Sequence, residues 1–290
     1  MNKAKINSLI QLLDDPDERI FHQVRQALMD CGREAIPELE LFWERNDFEA
    51  IFMQRVENLI HDIQFSDTIH RLKSWIKDGG GNLFDGAMIV SAYQYPDLDP
   101  ITIKDKIKTL AKTIWMDMNN TFTAFEKVKI INHYFYGDFG FSGNRKNFHN
   151  PSNSFINCVL ETKKGNPLSL SILYMLIAEE LDEPIVGVNL PNHFVVGYLD
   201  QNNITAHLSD NPQSVLFYIN CFSKGMTLQK NELFSFLEQL EIEPTSAYFE
   251  PCANMDTIRR MLINLKMAFQ KIGEIQKEVE IDEMLGLFKA

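Results

Sequence analysis

The sequence predicts a mainly helical α+β protein with one antiparallel sheet of about three to five strands, packed on the helix at residues 165–181. Apolar residues recur at spacings of three and four through most of the 290-residue chain, as in amphipathic helices. Short runs of β-branched and aromatic residues occur only after residue 184. Because these runs are few and close together, the sheet is expected to be small.

Residues 1–64 are predicted to form a helical domain. Apolar stripes cover residues 6–13 and 20–28, and Pro16 with its flanking aspartates separates the two helices. Residues 12–40 resemble a HEAT-type repeat, with an acidic turn and a glycine before the next helix. A solenoid needs several such repeats to bury its faces, so the sequence predicts only a HEAT-like character.

Residues 65–240 are predicted to form the core domain. Residues 165–181 are apolar on nearly all sides, and a helix of that kind is buried at the centre of a fold. Residues 137–164 are rich in Gly, Asn, Ser and Pro and predict a long loop, which is often functional. Other helices are predicted at residues 48–63, 67–77, 101–119 and 123–136, and strands at residues 184–188, 193–198, 204–208 and 215–219. Residues 241–290 are predicted to form a helix pair joined at Gly273.

Composition and charge exclude several classes of protein. Forty acidic residues against 28 Lys and Arg give a net charge of −12, which disfavours binding to nucleic acid. The four cysteines lack the spacing of disulfide scaffolds or zinc sites, and the histidines form no pattern of metal ligands. No secretory signal and no bilayer-spanning apolar stretch is found. We therefore expect a soluble, cytoplasmic protein without metal, cofactor or membrane partner.

Candidate site residues coincide with the ends of predicted elements. Gly165-Asn166-Pro167 lies at the start of the buried helix, His193 opens a strand and Asn220 ends a later strand. A helix followed by strands, each bringing a polar side chain to a shared cleft, is the arrangement of a papain-like catalytic core. The sequence thus predicts that His193 points into a cleft beside the helix N-terminus, within reach of Asn220.

Four sequence blocks carry a family resemblance. They are GFSGN at residues 140–144, NPSNSF at 150–155, GNPLSLS at 165–171 and GVNLPNHF at 187–194. In this order they resemble the SirB-type transglutaminase-like family. RMLINLK at residues 260–266 resembles the helix that follows the core in that family, within a tetratricopeptide-like helix pair. The resemblance implies a papain/transglutaminase-like core over residues 65–240 and tetratricopeptide-like helices over residues 241–290.

The resemblance also implies which residues form the site. Transglutaminase-like enzymes use a Cys–His–Asp triad, and the matching positions here are Pro167, His193 and Asn220. Proline has no nucleophile, and its presence at this position is a feature of the SirB-type branch. The implied binding cleft contains Asn144, Asn153, Ser154, Asn166, Pro167 and Asn192.

Other residues are alternative candidates for the nucleophile. Ser169 lies on the first turn of the helix, but a hydrogen-bonding role at the helix terminus is the stronger interpretation. Cys158 is interpreted as a small buried residue, Cys221 as a substitution, and His149 as an exposed loop residue that could approach His193.

Two functions follow from these assignments. The first is a non-catalytic module that binds a protein or peptide. The alternative is an amide-processing hydrolase or acyltransferase that uses His193 with an unorthodox nucleophile such as Ser169.

Overall fold

Helices predominate and strands lie only between residues 142 and 228 in the part of the chain that the structure describes. This structure is a computed structural model, and it describes residues 3–44, 50–200 and 215–289. The chain divides into two compact units, one of residues 1–74 and 92–96 and the other of residues 75–91 and 97–290. The predicted mainly helical α+β class with a small antiparallel sheet is confirmed.

The first unit is helical. Its helices are α1 (Lys3–Gln11), α2 (Glu18–Cys31), α3 (Ile36–Trp43) and most of α4 (Ala50–Lys77). Helix α2 begins after Asp17, whose carboxylate accepts a hydrogen bond from the Arg19 amide at 2.8 Å. Buried apolar residues from these helices form one core, among them Ile6, Ile10, Leu13, Leu28, Leu39, Phe42, Phe52 and Val56. The HEAT-like character stays a prediction, as does the domain boundary after residue 64, a position that lies inside α4.

The second unit is built around one buried helix, α9 (Pro167–Glu180). Residues 168–178 are all buried, and the helix packs against the sheet on one side and against α6 (Pro100–Trp115). The predicted central helix is therefore present. The unit's other helices are most of α5 (Leu83–Gln94), α7 (Ala124–Asn132), α8 (Ile156–Thr162), α10 (Lys230–Gln239), α11 (Asn254–Ile272) and α12 (Ile275–Gly286).

The C-terminal helices α11 and α12 form an antiparallel pair. Gly273 ends α11 with a φ of +78°, a conformation that favours glycine. Lys266 pairs with Asp282 at 2.6 Å, and one turn further along α11 Gln270 donates to Glu278 at 2.5 Å. The second contact lies closer to the connection on both helices, as antiparallel packing requires.

The antiparallel sheet contains four described strands. These are β3 (Ile185–Leu190), β4 (His193–Leu199), β5 (Val215–Asn220) and β6 (Met226–Leu228), hydrogen-bonded in the order β3-β4-β5-β6. In β3 and β4, Leu190 pairs with His193, so only residues 191 and 192 form the turn. The start of β4 and the end of β5 lie at the same edge of the sheet because the two strands are antiparallel.

The structure corrects three expectations about shorter elements, and a fourth lies outside the described residues. A parallel pair, β1 (Ser142–Gly143) with β2 (Lys164–Gly165), precedes the main sheet, although no strand was expected before residue 150. The predicted loop at residues 137–164 contains α8 and a 3-10 turn at Pro151–Ser154. The helix predicted at 67–77 and the described part of the one predicted at 48–63 belong to one continuous helix, α4, because residues 64–66 include no helix breaker. The strand expected at residues 204–208 lies outside the described residues.

Candidate functional site

The N-terminus of α9 is held in place by its own capping residues. Oδ1 of Asn166 accepts a hydrogen bond from the Ser169 amide at 2.9 Å, and Oγ of Ser169 accepts one from the Asn166 amide at 3.0 Å. Pro167 is the first helical residue, where its missing N–H removes no intrahelical hydrogen bond. A Cβ on Gly165 would lie 2.7 Å from Ser169 Oγ, so only glycine fits before the cap.

His193 is positioned by the tight turn between β3 and β4. Asn192 in this turn has a φ of +57°, which asparagine tolerates better than most residues. Pairing of Leu190 with His193 then decides the face of the sheet on which the imidazole lies. The half-buried imidazole packs against Phe236, with ring centroids 5.9 Å apart.

Asn220, at the end of β5, is the hydrogen-bond partner of His193. It is 9% exposed, and its Oδ1 also accepts from the amides of Phe222 and Ser223 at 3.1 Å each. Burial lowers the pKa of His193 below its ordinary value, and the charge of Arg260 acts in the same direction against the opposing effect of the Asn220 hydrogen bond. The neutral imidazole is therefore favoured at neutral pH.

These elements border a cleft of about 480 Å³, which is within the range of ligand-binding sites. Its walls are the loop before α8, the N-terminus of α9, the β3–β4 turn and helix α11. The residues that line it are Phe148, His149, Asn150, Ser154, Asn166, Pro167, Leu168, Pro191, Asn192, His193, Phe194, Arg260, Ile263, Asn264, Met267 and Ala268.

The sequence-predicted cleft residues separate into two groups. Ser154, Asn166, Pro167, Asn192 and His193 line the cleft, whereas Asn144, Asn153 and Asn220 do not. Asn153 instead organises the loop: its Nδ2 donates to the carbonyls of Asn147 at 2.6 Å and Phe148 at 3.1 Å. Its Oδ1 accepts from Asn144 at 2.9 Å. Asn144 and Asn153 thus hold the loop that carries Phe148 and His149 to the cleft.

The alternative nucleophiles lie outside the cleft. Ser169 is 1% exposed, and its hydroxyl donates to the Asn153 carbonyl at 2.5 Å. Cys221 is fully buried, and burial raises the pKa of its thiol to about 12. Cys158 is buried on α8. Among the lining residues that the structure describes, none is cysteine and only Ser154 carries a hydroxyl.

Helix α11 contributes a wall of the cleft that sequence reasoning missed. Arg260, Ile263, Asn264 and Met267 line the cleft and follow the three- and four-residue spacing of one helix face. The RMLINLK block contains three of them, but the family resemblance assigned that block only to the C-terminal helix pair. The sequence shows the helical spacing of these residues but not which face meets the cleft, and the 53% exposure of Met267 is visible only in the structure.

The described residues contain neither a group of metal ligands nor a membrane-spanning helix. Within residues 3–44, 50–200 and 215–289, no three His, Cys, Asp or Glu side chains are grouped so that they could hold a metal ion. None of the described helices combines the length and apolar character needed to cross a bilayer. The expectations of no cofactor and of a cytoplasmic location stay predictions.

The fold and cleft define a papain-like class of protein, in which the N-terminus of a buried helix faces a histidine at the start of an antiparallel strand. The sequence matches the Transglutaminase-like superfamily over residues 101–263, and the chain belongs to this family. This confirms the predicted transglutaminase-like core. The correspondence of Pro167 to the family's cysteine position stays a prediction.

Relatives of the chain come from bacteria and animals. It is 22% identical over 210 residues to Protein SirB1 of Salmonella typhimurium, a match that covers 71% of this chain and 73% of SirB1 and agrees with the predicted SirB-type family. It is 30% identical over 114 residues to a UPF0162 protein of Xylella fastidiosa, covering 39% of this chain and 41% of the relative. It is 24% identical over 260 residues to F-box only protein 21 of Mus musculus, covering 81% of this chain and 40% of the relative. The chain thus spans about two fifths of the length of these last two curated relatives. No solved structure matches the chain.

Proposed function

We propose that this chain is a non-catalytic member of its family that binds a peptide segment in the cleft. The observation that carries the proposal is the chemistry of the α9 N-terminus. Pro167 lines the cleft there, and none of the described lining residues is cysteine. Among the described residues, the cleft therefore has no thiol at the N-terminus of α9 that could attack a substrate.

Acyl transfer needs a nucleophile, a base and donors that stabilise the oxyanion. Pro167 supplies neither a nucleophilic side chain nor an N–H at the first helical position. Ser154 is 3% exposed, and its Oγ accepts a hydrogen bond from Nδ2 of Asn166 at 2.9 Å. Two of the three requirements, the nucleophile and the donors that stabilise the oxyanion, are therefore weakened at the N-terminus of α9.

The cleft has the composition of a recognition site. Apolar side chains such as Phe148, Leu168, Ile263 and Met267 alternate around it with amide and hydroxyl groups. An extended peptide presents the same mixture of apolar side chains and backbone polar groups. The volume of about 480 Å³ would accommodate a few residues of such a segment.

One observation keeps the hydrolase or acyltransferase as a second candidate. His193 hydrogen-bonds Asn220, and its lowered pKa favours the neutral imidazole that a general base requires. This alternative needs a hydroxyl or thiol that reaches His193. Ser169 donates its proton to the Asn153 carbonyl instead, which disfavours it as that group.

Two measurements on the full chain distinguish the candidates. The first selects short peptides from a phage-displayed random library and repeats the binding with Phe148→Ala and Met267→Ala, since both side chains are exposed and line the cleft. Ile275→Ala is the matched control, because Ile275 is 73% exposed on α12 and is not among the lining residues. We expect the two cleft variants to weaken binding and the control to leave it unchanged.

The second measurement treats the chain with a fluorophosphonate and a peptide chloromethyl ketone and locates any adduct by mass spectrometry. The binding proposal expects no adduct that depends on His193. An adduct on Ser154 or Ser169 that disappears in His193→Ala would overturn the proposal in favour of the enzyme.

A further inference from the structure

The charge of the cleft is opposite to that of the chain. The chain carries a net charge of −12, yet none of the cleft-lining residues that the structure describes is Asp or Glu. The ionisable groups that line it are His149 from the loop, His193 from β4 and Arg260 from α11. A recognition site with this charge favours an anionic ligand and disfavours a cationic one.

Arg260 is the fixed positive charge of the cleft. One of its guanidinium nitrogens, Nη1, donates to Oδ1 of Asn189 at 3.1 Å and to the carbonyl of Leu190 at 3.4 Å. Both acceptors are neutral, and within the described part of the chain no carboxylate lies within ion-pair distance of Arg260 and no acceptor is found for its Nη2 or Nε. Arg260 is half-buried, and this burial lowers the pKa of its guanidinium.

By contrast, another buried charge in the same unit is paired. Glu183 accepts hydrogen bonds from Lys127 at 2.7 Å and from the Tyr198 hydroxyl at 2.6 Å, so its charge is paired. A charge taken from water is costly unless it is paired. Arg260 differs from Glu183 because it has no charged partner among the described residues, and it lines the cleft.

We propose that the cleft binds a carboxylate of a peptide, with Arg260 as its ion-pair partner and an adjoining apolar side chain against Phe148 and Met267. This inference rests on the proposed peptide-binding function and specifies its ligand. A guanidinium with two unoccupied donor nitrogens matches a carboxylate, which accepts two parallel hydrogen bonds. The N-terminus of α9 beside it adds a field of the same sign. Phe148 and Met267 are 44% and 53% exposed, so both are accessible to the apolar side chain.

Two sources can provide this carboxylate, the C-terminus of a peptide or an Asp or Glu side chain. The test therefore uses three pools of short peptides that contain Leu, Phe or Met and carry an uncharged BODIPY dye at the N-terminus. The first pool has a free C-terminal carboxylate and no acidic residue. The second is amidated and has no acidic residue, and the third is amidated and has one Asp or Glu beside the apolar residue. Binding is measured by fluorescence anisotropy.

We expect the first or the third pool to bind at least about tenfold more tightly than the second, as a charged hydrogen-bonded pair requires. Preference for the first pool identifies a C-terminal carboxylate, and preference for the third identifies an acidic side chain. Equal affinity for all three pools refutes the carboxylate while leaving peptide binding intact. Absence of binding by every pool refutes both the carboxylate and the peptide-binding function.

Substitutions on α11 test whether Arg260 causes the preference for a carboxylate. Arg260→Gln should remove the preference for the carboxylate, whereas Arg260→Lys should keep part of it because the charge remains. Arg259→Gln is the matched control, since Arg259 is its exposed neighbour outside the cleft lining. Thermal unfolding of each variant shows whether α11 remains docked. A preference that survives in a folded Arg260→Gln, or that is lost equally in Arg259→Gln, refutes the role of Arg260.

Discussion

Replacing Pro167 with cysteine puts a thiol on the first residue of α9, where it lines the cleft together with His193. The N-terminus of a helix stabilises a nearby anion by about 0.3–1 kcal/mol, and by up to about 2 kcal/mol when partly buried. One unit of pKa corresponds to about 1.4 kcal/mol, so the ordinary thiol pKa of about 8.5 should fall to between about 7 and 8.3.

The surroundings of the thiol limit this decrease. His193 is neutral at neutral pH because its pKa is lowered, so it provides no imidazolium to pair with the thiolate. Without that pairing, the introduced thiol should not approach the value of about 3.5 found for the most acidic catalytic cysteines. Adding Asn220→Asp places a carboxylate beside His193, raises the pKa of the imidazole and should lower the thiol pKa further.

The assay is the rate of alkylation by iodoacetamide across a pH series from about 6 to 9, with each site resolved by mass spectrometry. Native thiols interfere little at neutral pH, because burial raises the pKa of Cys31, Cys221 and Cys252. The thiolate fraction at the introduced site therefore determines the signal near neutral pH.

Pro100→Cys is the matched control. Pro100 is also the first residue of a helix, α6, but its N-cap is Asp99, whose carboxylate accepts from the amides of Ile101 and Thr102. The helix N-terminus lowers the pKa of a thiol there as at Pro167, but the Asp99 carboxylate raises it, so the pKa should stay near about 8.5. Equal pKa values for the two introduced thiols, with no response to Asn220→Asp, would show that Pro167, His193 and Asn220 do not form the remnant of a triad.

Three further predictions concern stability and pH, and urea unfolding measures all of them. Asn153→Ala should lower the free energy of unfolding by about 2–3 kcal/mol, because three side-chain hydrogen bonds of about 1 kcal/mol each are lost. Asn147→Ala, at an exposed position of the same loop, should have little effect. Equal losses in the two variants would contradict the proposed role of Asn153 in holding the loop. Asn166→Ala should cost about 2–3 kcal/mol, because it removes both the N-cap and the Nδ2 hydrogen bond to Ser154. Asn166→Asp keeps the N-cap acceptor and should cost less; the reverse order would argue against capping. Because the pKa of His193 is lowered on folding, the unfolded chain binds more protons below about pH 6.5, so stability should fall as the pH falls through that value. His193→Gln should remove that component, and an unchanged pH profile would contradict the lowered pKa.

The large elements of the second unit could be predicted because their signals are local. The apolar run of α9 identifies a buried helix whatever surrounds it, and residues 168–178 are buried as expected. His193 and Asn220 lie at strand ends in the sequence, and antiparallel pairing brings those ends together. Periodicity and element order were sufficient for this part of the site.

The short elements could not be predicted because they depend on partners far along the chain. β1 and β2 have two residues each, and the pair is stabilised by bonds such as the Ser142 amide to the Lys163 carbonyl at 2.9 Å. No local pattern indicates such a pairing. Helix α8 has seven residues, too few for the periodicity of Ile156, Val159 and Leu160 to be distinguished from an apolar loop.

The roles of single residues around the cleft also could not be predicted from the sequence. Asn144 and Asn153 were expected to line the cleft because the family resemblance implies it. In the structure their side chains instead hydrogen-bond each other and the loop backbone, a role that buried asparagine fills well. Helix α11 was predicted from sequence, but which of its faces meets the cleft depends on how it packs against β3.

The two-residue turn between β3 and β4 makes the site sensitive to chain length rather than to side-chain identity. Inserting or deleting one residue there would shift the pairing of Leu190 with His193 and transfer the imidazole to the opposite face of the sheet. The Asn220 hydrogen bond would then be lost although every site residue remained in the sequence. For any related chain, the number of residues in this turn therefore tells whether the histidine can reach the cleft, before any substitution is considered.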